Sequence, residues 1–449
     1  MPVQPNRRQF LKTLAASTLS SLVLGACTNT GPKKTPNIVL IMADDLGYEC
    51  IGADGGTTYA TPRIDKLAAS GIRFEHCYAQ PLCTPTRVKL MTGMYNIRNY
   101  TQFGQLDRGQ TTFAHLFKQQ GYATCIAGKW QLGTETDSPQ HFGFDESCLW
   151  QQSGERTDEN GHDTRYPNPV LDINGVRTKF SNGEYGPDVA SDFICDFITR
   201  HREAPFLAYY PMILTHCPFV PTPDSTDWNP ADPGTLDYKG DPKYFKDMVA
   251  YTDKLVGKIV DHLEKLGLRD NTLVILTGDN GTDTPVVSDL NGRQVAGGKG
   301  KTTDAGTRVP LVANWPGVVP AGQVCPDLVD FSDFLPTLCE IANIPVPDDP
   351  NLDGHSFEPQ LKGEKGNPRE WLYCWFSRNG KAEDARVFAR TRRYKLYQNG
   401  GLYDIEKDVL EQSPLTDDQL NEQAKTAKVM LQSVLDRYAG TRYSAVQPK

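Results

Sequence analysis

Two runs of consecutive apolar residues frame the chain: Asn37-Ile38-Val39-Leu40-Ile41-Met42 and Thr272-Leu273-Val274-Ile275-Leu276. Neither alternates with polar positions, the pattern of strands buried on both faces of a parallel sheet. Shorter runs predict strands over 122–127, 205–210 and 308–314. Between them lie helical patterns that start at Thr61-Pro62 and near Thr112, and others over 188–200 and 331–342. The clearest helix spans 244–266, with Phe245, Met248, Val249, Leu255, Val256, Ile259, Val260 and Leu263 on one face. Residues 134–186 have little periodicity and are expected to be long surface loops. Beyond the Pro/Asp-rich break at 345–350, short strands over 371–376, 386–390, 394–397 and 402–403 precede a helix over 417–438. Strands alternating with helices predict an α/β fold: a large, mostly parallel central sheet flanked by helices. The later strands predict a small C-terminal α+β domain with an antiparallel sheet.

The polar residues that interrupt this pattern fall at strand ends. The first buried run stops at Ala43-Asp44-Asp45-Leu46-Gly47, and the second at Thr277-Gly278-Asp279-Asn280-Gly281. In open α/β sheets ligands bind at the carboxyl edge, and hard cations such as Ca²⁺ take carboxylate and carboxamide oxygens. A third polar stretch, Cys83-Thr84-Pro85-Thr86-Arg87, opens a helix whose free N–H groups suit an anion beside Cys83. Arg87 lies one turn on and can add a fixed charge there.

The formal charge of -8 and the lack of a long basic run give nucleic-acid binding no support. No C-x-x-C pair occurs among the 11 cysteines, so neither a zinc ribbon nor a redox motif is indicated, and disulfide pairing is not legible. Residues 1–26 read as an export signal: Asn6-Arg7-Arg8-Gln9-Phe10-Leu11-Lys12 looks like a twin-arginine motif, and an apolar run too short to span a bilayer follows. Leu24-Gly25-Ala26-Cys27 resembles a lipobox, in which Cys27 is lipidated. The alternative is a plain cleaved signal with a chance cysteine. The expected location is the bacterial cell envelope, periplasmic or lipid-anchored to a membrane. Residues 27–36 read as a linker, 37–345 as the main domain, to which the resemblance described next assigns catalysis, and 346–449 as a C-terminal subdomain.

The C-T-P-T-R stretch with Thr92-Gly93 downstream resembles the signature of the formylglycine-dependent sulfatases. N-I-V-L-I-M-A-D-D-L-G, G-Y-A-T-C-I-A-G-K-W, T-H-C-P-F, L-T-G-D-N-G, G-G-K-G with R-V-P, and the late Y-K-L and L-Y-D follow the same family's order. The resemblance covers nearly all of the mature chain. It implies an alkaline-phosphatase-like sandwich and hydrolysis of sulfate esters, on a carbohydrate or an aryl or alkyl sulfate. By the same resemblance a maturation enzyme converts Cys83 to formylglycine, whose hydrated aldehyde is the nucleophile. Asp44, Asp45, Asp279 and Asn280 then hold a calcium ion together with the modified Cys83. Lys129 and Lys299 bind sulfate beside Arg87, and Asp279 accepts a proton. Lys299 or His216 protonates the departing alcohol.

Two positions depart from the family. Gln131 stands in Lys129-Trp130-Gln131-Leu132-Gly133, where a histidine is common and would deprotonate the second hydroxyl of the nucleophile. Glutamine can hold that hydroxyl but cannot act as a base. Lys301-Thr302-Thr303-Asp304 replaces a common aromatic-acid pair. Two alternatives follow: a phosphate or phosphonate ester hydrolase with the same machinery, and a catalytically impaired binder of sulfated glycans.

Overall fold

The computed structural model describes residues 35–442, so Cys27, the signal reading and most of the linker lie outside the described residues. Its strands in chain order are β1 (Asn37–Ala43), β2 (Ile72–Tyr78), β3 (Ala123–Lys129), β4 (Glu146–Trp150), β5 (Val170–Ile173), β6 (Val176–Lys179) and β7 (Phe206–Pro211). Then come β8 (Thr272–Gly278), β9 (Val287–Leu290), β10 (Arg293–Ala296), β11 (Arg308–Val309), β12 (Leu311–Asn314) and β13 (Gln323–Asp330). The last four are β14 (Leu372–Phe376), β15 (Arg386–Arg390), β16 (Tyr394–Tyr397) and β17 (Leu402–Asp404).

The main sheet has the order β11-β2-β12-β8-β1-β7-β3-β4-β5-β6, with β13 paired to β2. Its middle, β8-β1-β7-β3-β4, is parallel, and antiparallel partners close both ends. Every residue of β1 and β8 is buried, as their unbroken apolar runs require. Alternate residues of β1 feed two cores: Ile38, Leu40 and Met42 face one layer of helices, and Val39, Ile41 and Ala43 the other. The helix Phe245–Lys265 lays the apolar stripe read from sequence onto the second of these. Strands β14–β17 form a separate four-stranded antiparallel sheet, against which the helix Glu422–Tyr438 packs.

The stretch 134–186 is more ordered than its composition predicted, for it supplies β4, β5 and β6. The β5–β6 hairpin turns at Asn174-Gly175 and the β9–β10 hairpin at Asn291-Gly292, with both residues of each turn in the left-handed region. This is the Asn-Gly signal for a two-residue hairpin turn, present in the sequence between runs too short for their periodicity to register. The ten described cysteines are all buried and free, small core residues rather than a disulfide framework.

Candidate active site

Strand register assembles the site. Ala43 at the end of β1 pairs with Gly278 at the end of β8, so the next residue on each strand, Asp44 and Asp279, emerges at the same edge. The Asp279 N–H donates to the Ala43 carbonyl at 2.9 Å, and the Asp45 N–H donates to Asp279 Oδ1 at 3.0 Å. Asp45 itself has φ +60°, an uncommon conformation for a residue with a side chain. On the other flank β7 runs beside β1, and the chain beyond it is tied by the Thr215 N–H donating to the Asp44 carbonyl at 2.7 Å. That delivers His216. Strand β3 ends at Lys129, and Gln131 follows with φ +58°. The carboxyl ends of four neighbouring strands therefore converge on one point, as expected for a ligand site in such a sheet.

Cys83 is the first residue of the helix Cys83–Thr92, entered from an extended Leu82 and closed by Gly93 in the left-handed conformation. All ten of its residues are buried, so the helix has no solvent face and is held by packing on every side. The Lys299 loop is fastened to the same place: the Gly300 N–H donates to the Pro81 carbonyl at 2.8 Å, and the Lys299 N–H to that of Thr282 at 3.1 Å.

Three buried carboxylates face three cations here. Lys129 Nζ reaches Asp44 Oδ2 at 2.6 Å, Lys299 Nζ reaches Asp45 Oδ2 at 2.5 Å, and Arg87 Nη2 reaches Asp279 Oδ2 at 3.0 Å. Arg87 also donates to the Lys129 carbonyl at 2.9 Å; it binds two strand ends together rather than contacting Cys83. Burial raises the Asp44 pKa, but Lys129, Arg87 and Lys299 outweigh it and hold the carboxyl below its ordinary value. Burial and then the charge of Asp44 push Asp279 up to about 7, against Arg87. The Lys299 ammonium loses stability to burial, yet Asp45 holds its pKa well above the usual lysine value.

The donor set suits a hard cation. Asp44, Cys83 and Asp279 bring ligand atoms within 4.8 Å of one another, as do Asp44, Asp45 and His216. Asp44 Oδ1 and Asn280 Oδ1 are both buried with no hydrogen-bond partner among the described residues. Two idle acceptor oxygens in a fully enclosed cluster are costly unless a positive charge takes them. With carboxylate and carboxamide oxygens predominating, calcium or magnesium fits better than zinc.

Gln131 sits directly on Cys83. Its Oε1 accepts from Cys83 Sγ at 2.8 Å and from Thr84 Oγ1 at 2.9 Å. Glycines beside the two lysines serve close backbone packing. A Cβ on Gly128 would lie 1.9 Å from the Pro211 carbonyl oxygen, and one on Gly298 would meet the Ala305 backbone. Those glycines let neighbouring backbones close up, and so place Lys129 and Lys299.

A cavity of about 360 Å³ opens over Cys83, Lys129, Gln131, His216 and Lys299. It reveals residues that sequence reasoning missed. Arg165 is fully buried; its Nη2 donates to Asp163 Oδ2 at 2.7 Å and its Nη1 lies 2.8 Å from His216 Nδ1 and 2.5 Å from the Cys217 carbonyl. Its guanidinium carbon stands 4.2 Å from the Trp150 ring centroid. Burial, then the charges of Lys299, Lys129 and Arg165, hold His216 well below its ordinary pKa, so the imidazole is neutral. Nothing in the periodicity of residues 151–169 marks Asp163 or Arg165.

The large, mostly parallel sheet with a small antiparallel sheet beyond it is the alkaline-phosphatase-like fold. Residues 36–344 match the family model described as Sulfatase, and residues 299–437 match one described as N-sulphoglucosamine sulphohydrolase, C-terminal. The chain is 32% identical over 416 residues to human arylsulfatase A, covering 84% of this chain and 77% of that one. It is also 32% identical to N-acetylgalactosamine-6-sulfatase of Mus musculus over 375 residues, 74% of this chain and 68% of that one. Among solved structures, Ps i-CgsB in complex with k-i-k-neocarrahexaose superposes with a TM-score of 0.73 at 26% identity, covering 91% of this chain and 94% of that chain. The protein belongs to the sulfatase family and is a sulfuric ester hydrolase.

Proposed function

We propose that this enzyme removes sulfate from a sulfated carbohydrate, using formylglycine made from Cys83 and a calcium ion held by Asp44, Asp45, Asp279 and Asn280. The observation that carries the reading is the convergence of Cys83, the four oxygen ligands and both lysines at one sheet edge beneath one cavity. Calcium when bound supplies a fixed divalent charge for the sulfate oxygens, and formylglycine supplies the hydrated aldehyde that a buried thiol cannot.

The remaining work falls to side chains in place. Three carboxylates against three cations leave the cluster near neutral, so a bound dication gives it a positive excess that a sulfate ester offsets. With Asp44 and Asp45 holding the ion, Lys129 and Lys299 would be free to donate to the sulfate oxygens. Neutral His216, backed by Arg165, offers a hydrogen bond toward the departing oxygen. Arg87 keeps Asp279 turned inward as a proton acceptor. Gln131 orients the nucleophile through its Oε1, the place where the family commonly has a base.

The test is turnover of 4-nitrophenyl sulfate against 4-nitrophenyl phosphate by protein co-produced with a formylglycine-generating enzyme. Mass spectrometry of the Cys83 peptide accompanies it. Sulfate turnover with an aldehyde at position 83 is expected; faster phosphate cleavage, or active protein with an unmodified thiol, overturns the reading. For location, the proposal is export with lipidation at Cys27, checked by metabolic fatty-acid labelling of wild type and a Cys27→Ser variant. Equal labelling of the two would refute it.

A further inference from the structure

Five cationic side chains line the cavity over Cys83, and no carboxylate lines it among the described residues. Three of the five are neutralised from behind: Lys129 by Asp44, Lys299 by Asp45 and Arg165 by Asp163. The other two, Arg156 and Arg378, have no carboxylate partner among the described residues. Both are exposed, and each lies over an aromatic ring that also lines the cavity. The Arg156 guanidinium carbon is 5.1 Å from the Tyr238 centroid, and that of Arg378 is 5.2 Å from the Phe103 centroid.

An arginine held over a ring has its position restricted while the N–H donors on its edge remain available for an oxyanion. Two such groups lining one cavity are conspicuous in a protein with 55 acidic and 47 basic residues, where exposed Arg177 and Arg200 are paired with Glu155 and Glu146. Their carriers are separate in the chain. Arg156 stands between β4 and β5, and Arg378 just beyond β14 of the small sheet, so the fold brings them to one cavity from two directions. Tyr238 also makes an edge contact with the His216 ring, centroids 6.5 Å apart. Arg156 is therefore one aromatic ring away from the histidine on the leaving-group side. A single sulfate ester is already met by the lysines and the metal ligands, and leaves these two charges unanswered.

We propose that Arg156 and Arg378 form a clamp for a second anionic group of the substrate, a carboxylate or another sulfate ester. The natural substrate is then a saccharide carrying negative charge beyond the scissile sulfate. This rests on the sulfatase reading for the inner site and adds a binding position outside it.

The experiment measures calorimetric affinity of the protein for a heparin tetrasaccharide, which carries sulfates and carboxylates at several spacings. It compares wild type, R156Q/R378Q, and a charge-matched R202Q/K265Q control altered at exposed positions that do not line the cavity. Loss of two exposed charge-assisted contacts is expected to weaken binding by about tenfold at near-physiological salt, with the control close to wild type. Equal affinity in the clamp variant, equal weakening in both variants, or no binding by wild type overturns the proposal. Turnover of 4-nitrophenyl sulfate by matured wild type is followed separately. Its absence with the clamp effect present removes the sulfatase reading alone; its presence with no clamp effect removes the clamp alone. Thermal unfolding of each variant verifies that all remain folded.

Discussion

Arg165 provides the sharpest separation of fold from function. Its side chain has no solvent exposure and Asp163 is 7% exposed, with the two joined by Nε and Nη2 donating at 2.8 and 2.7 Å. Arg165→Met removes the cation and its stacking on Trp150, keeps much of the apolar stem, and leaves a buried carboxylate alone. Breaking a buried pair from one side costs about 3–5 kcal/mol. Removing both partners, in Asp163→Leu/Arg165→Met, replaces the pair with apolar groups and is expected to recover most of that loss. Activity should not recover with it. The third Arg165 nitrogen holds His216 Nδ1 and the Cys217 carbonyl, and losing a group that orients a site ligand or catalytic side chain costs about 10–100-fold. Urea unfolding gives the stabilities, and kcat/KM on 4-nitrophenyl sulfate gives the function. A double variant that regains activity together with stability would refute the positioning role. A single variant destabilised by less than about 1 kcal/mol would put the pair in the class of weak, solvent-screened contacts.

Further predictions concern the metal, the departure from the family and the seam between the sheets. Chelation should abolish turnover and lower the unfolding temperature, because it leaves Asp44 Oδ1 and Asn280 Oδ1 unpartnered; Ca²⁺ should restore both, and Zn²⁺ should not. Gln131→Ala should lower kcat by about 10–100-fold with little change in KM, since its Oε1 contacts Cys83 and Thr84; an unchanged kcat would mean that Gln131 only fills space. Asp304→Ala should cost about 3–5 kcal/mol by stranding buried Arg390, its partner at 2.5 Å on β15. The neighbouring Thr302 carbonyl accepts from Lys395 of β16, so the same change should raise KM by loosening the loop that carries Lys299. A variant as stable as wild type in urea would count against that account of the seam.

Much of the site was legible one segment at a time. Unbroken apolar runs ending in Asp44-Asp45 and in Asp279-Asn280, the Cys83 helix start with Arg87 a turn later, and the lysines in glycine-rich stretches are local patterns that neighbouring residues impose. The β5–β6 and β9–β10 hairpins were also encoded locally, in Asn174-Gly175 and Asn291-Gly292, though their strands are too short for periodicity to mark. Only the tertiary structure decided who meets whom. Asp45 and Asp279 stand 234 positions apart, and the register of β1 on β8 brings them together. Whether Arg87 points at Cys83 or at Asp279, which backbone a glycine lets come close, and whether Gln131 touches Cys83 all depend on packing between segments that share no local signal. Arg156, Arg165 and Arg378 belong to that second kind. In the chain they are single charges among polar residues, and their meaning comes from the cavity they share and from the carboxylates that two of them lack.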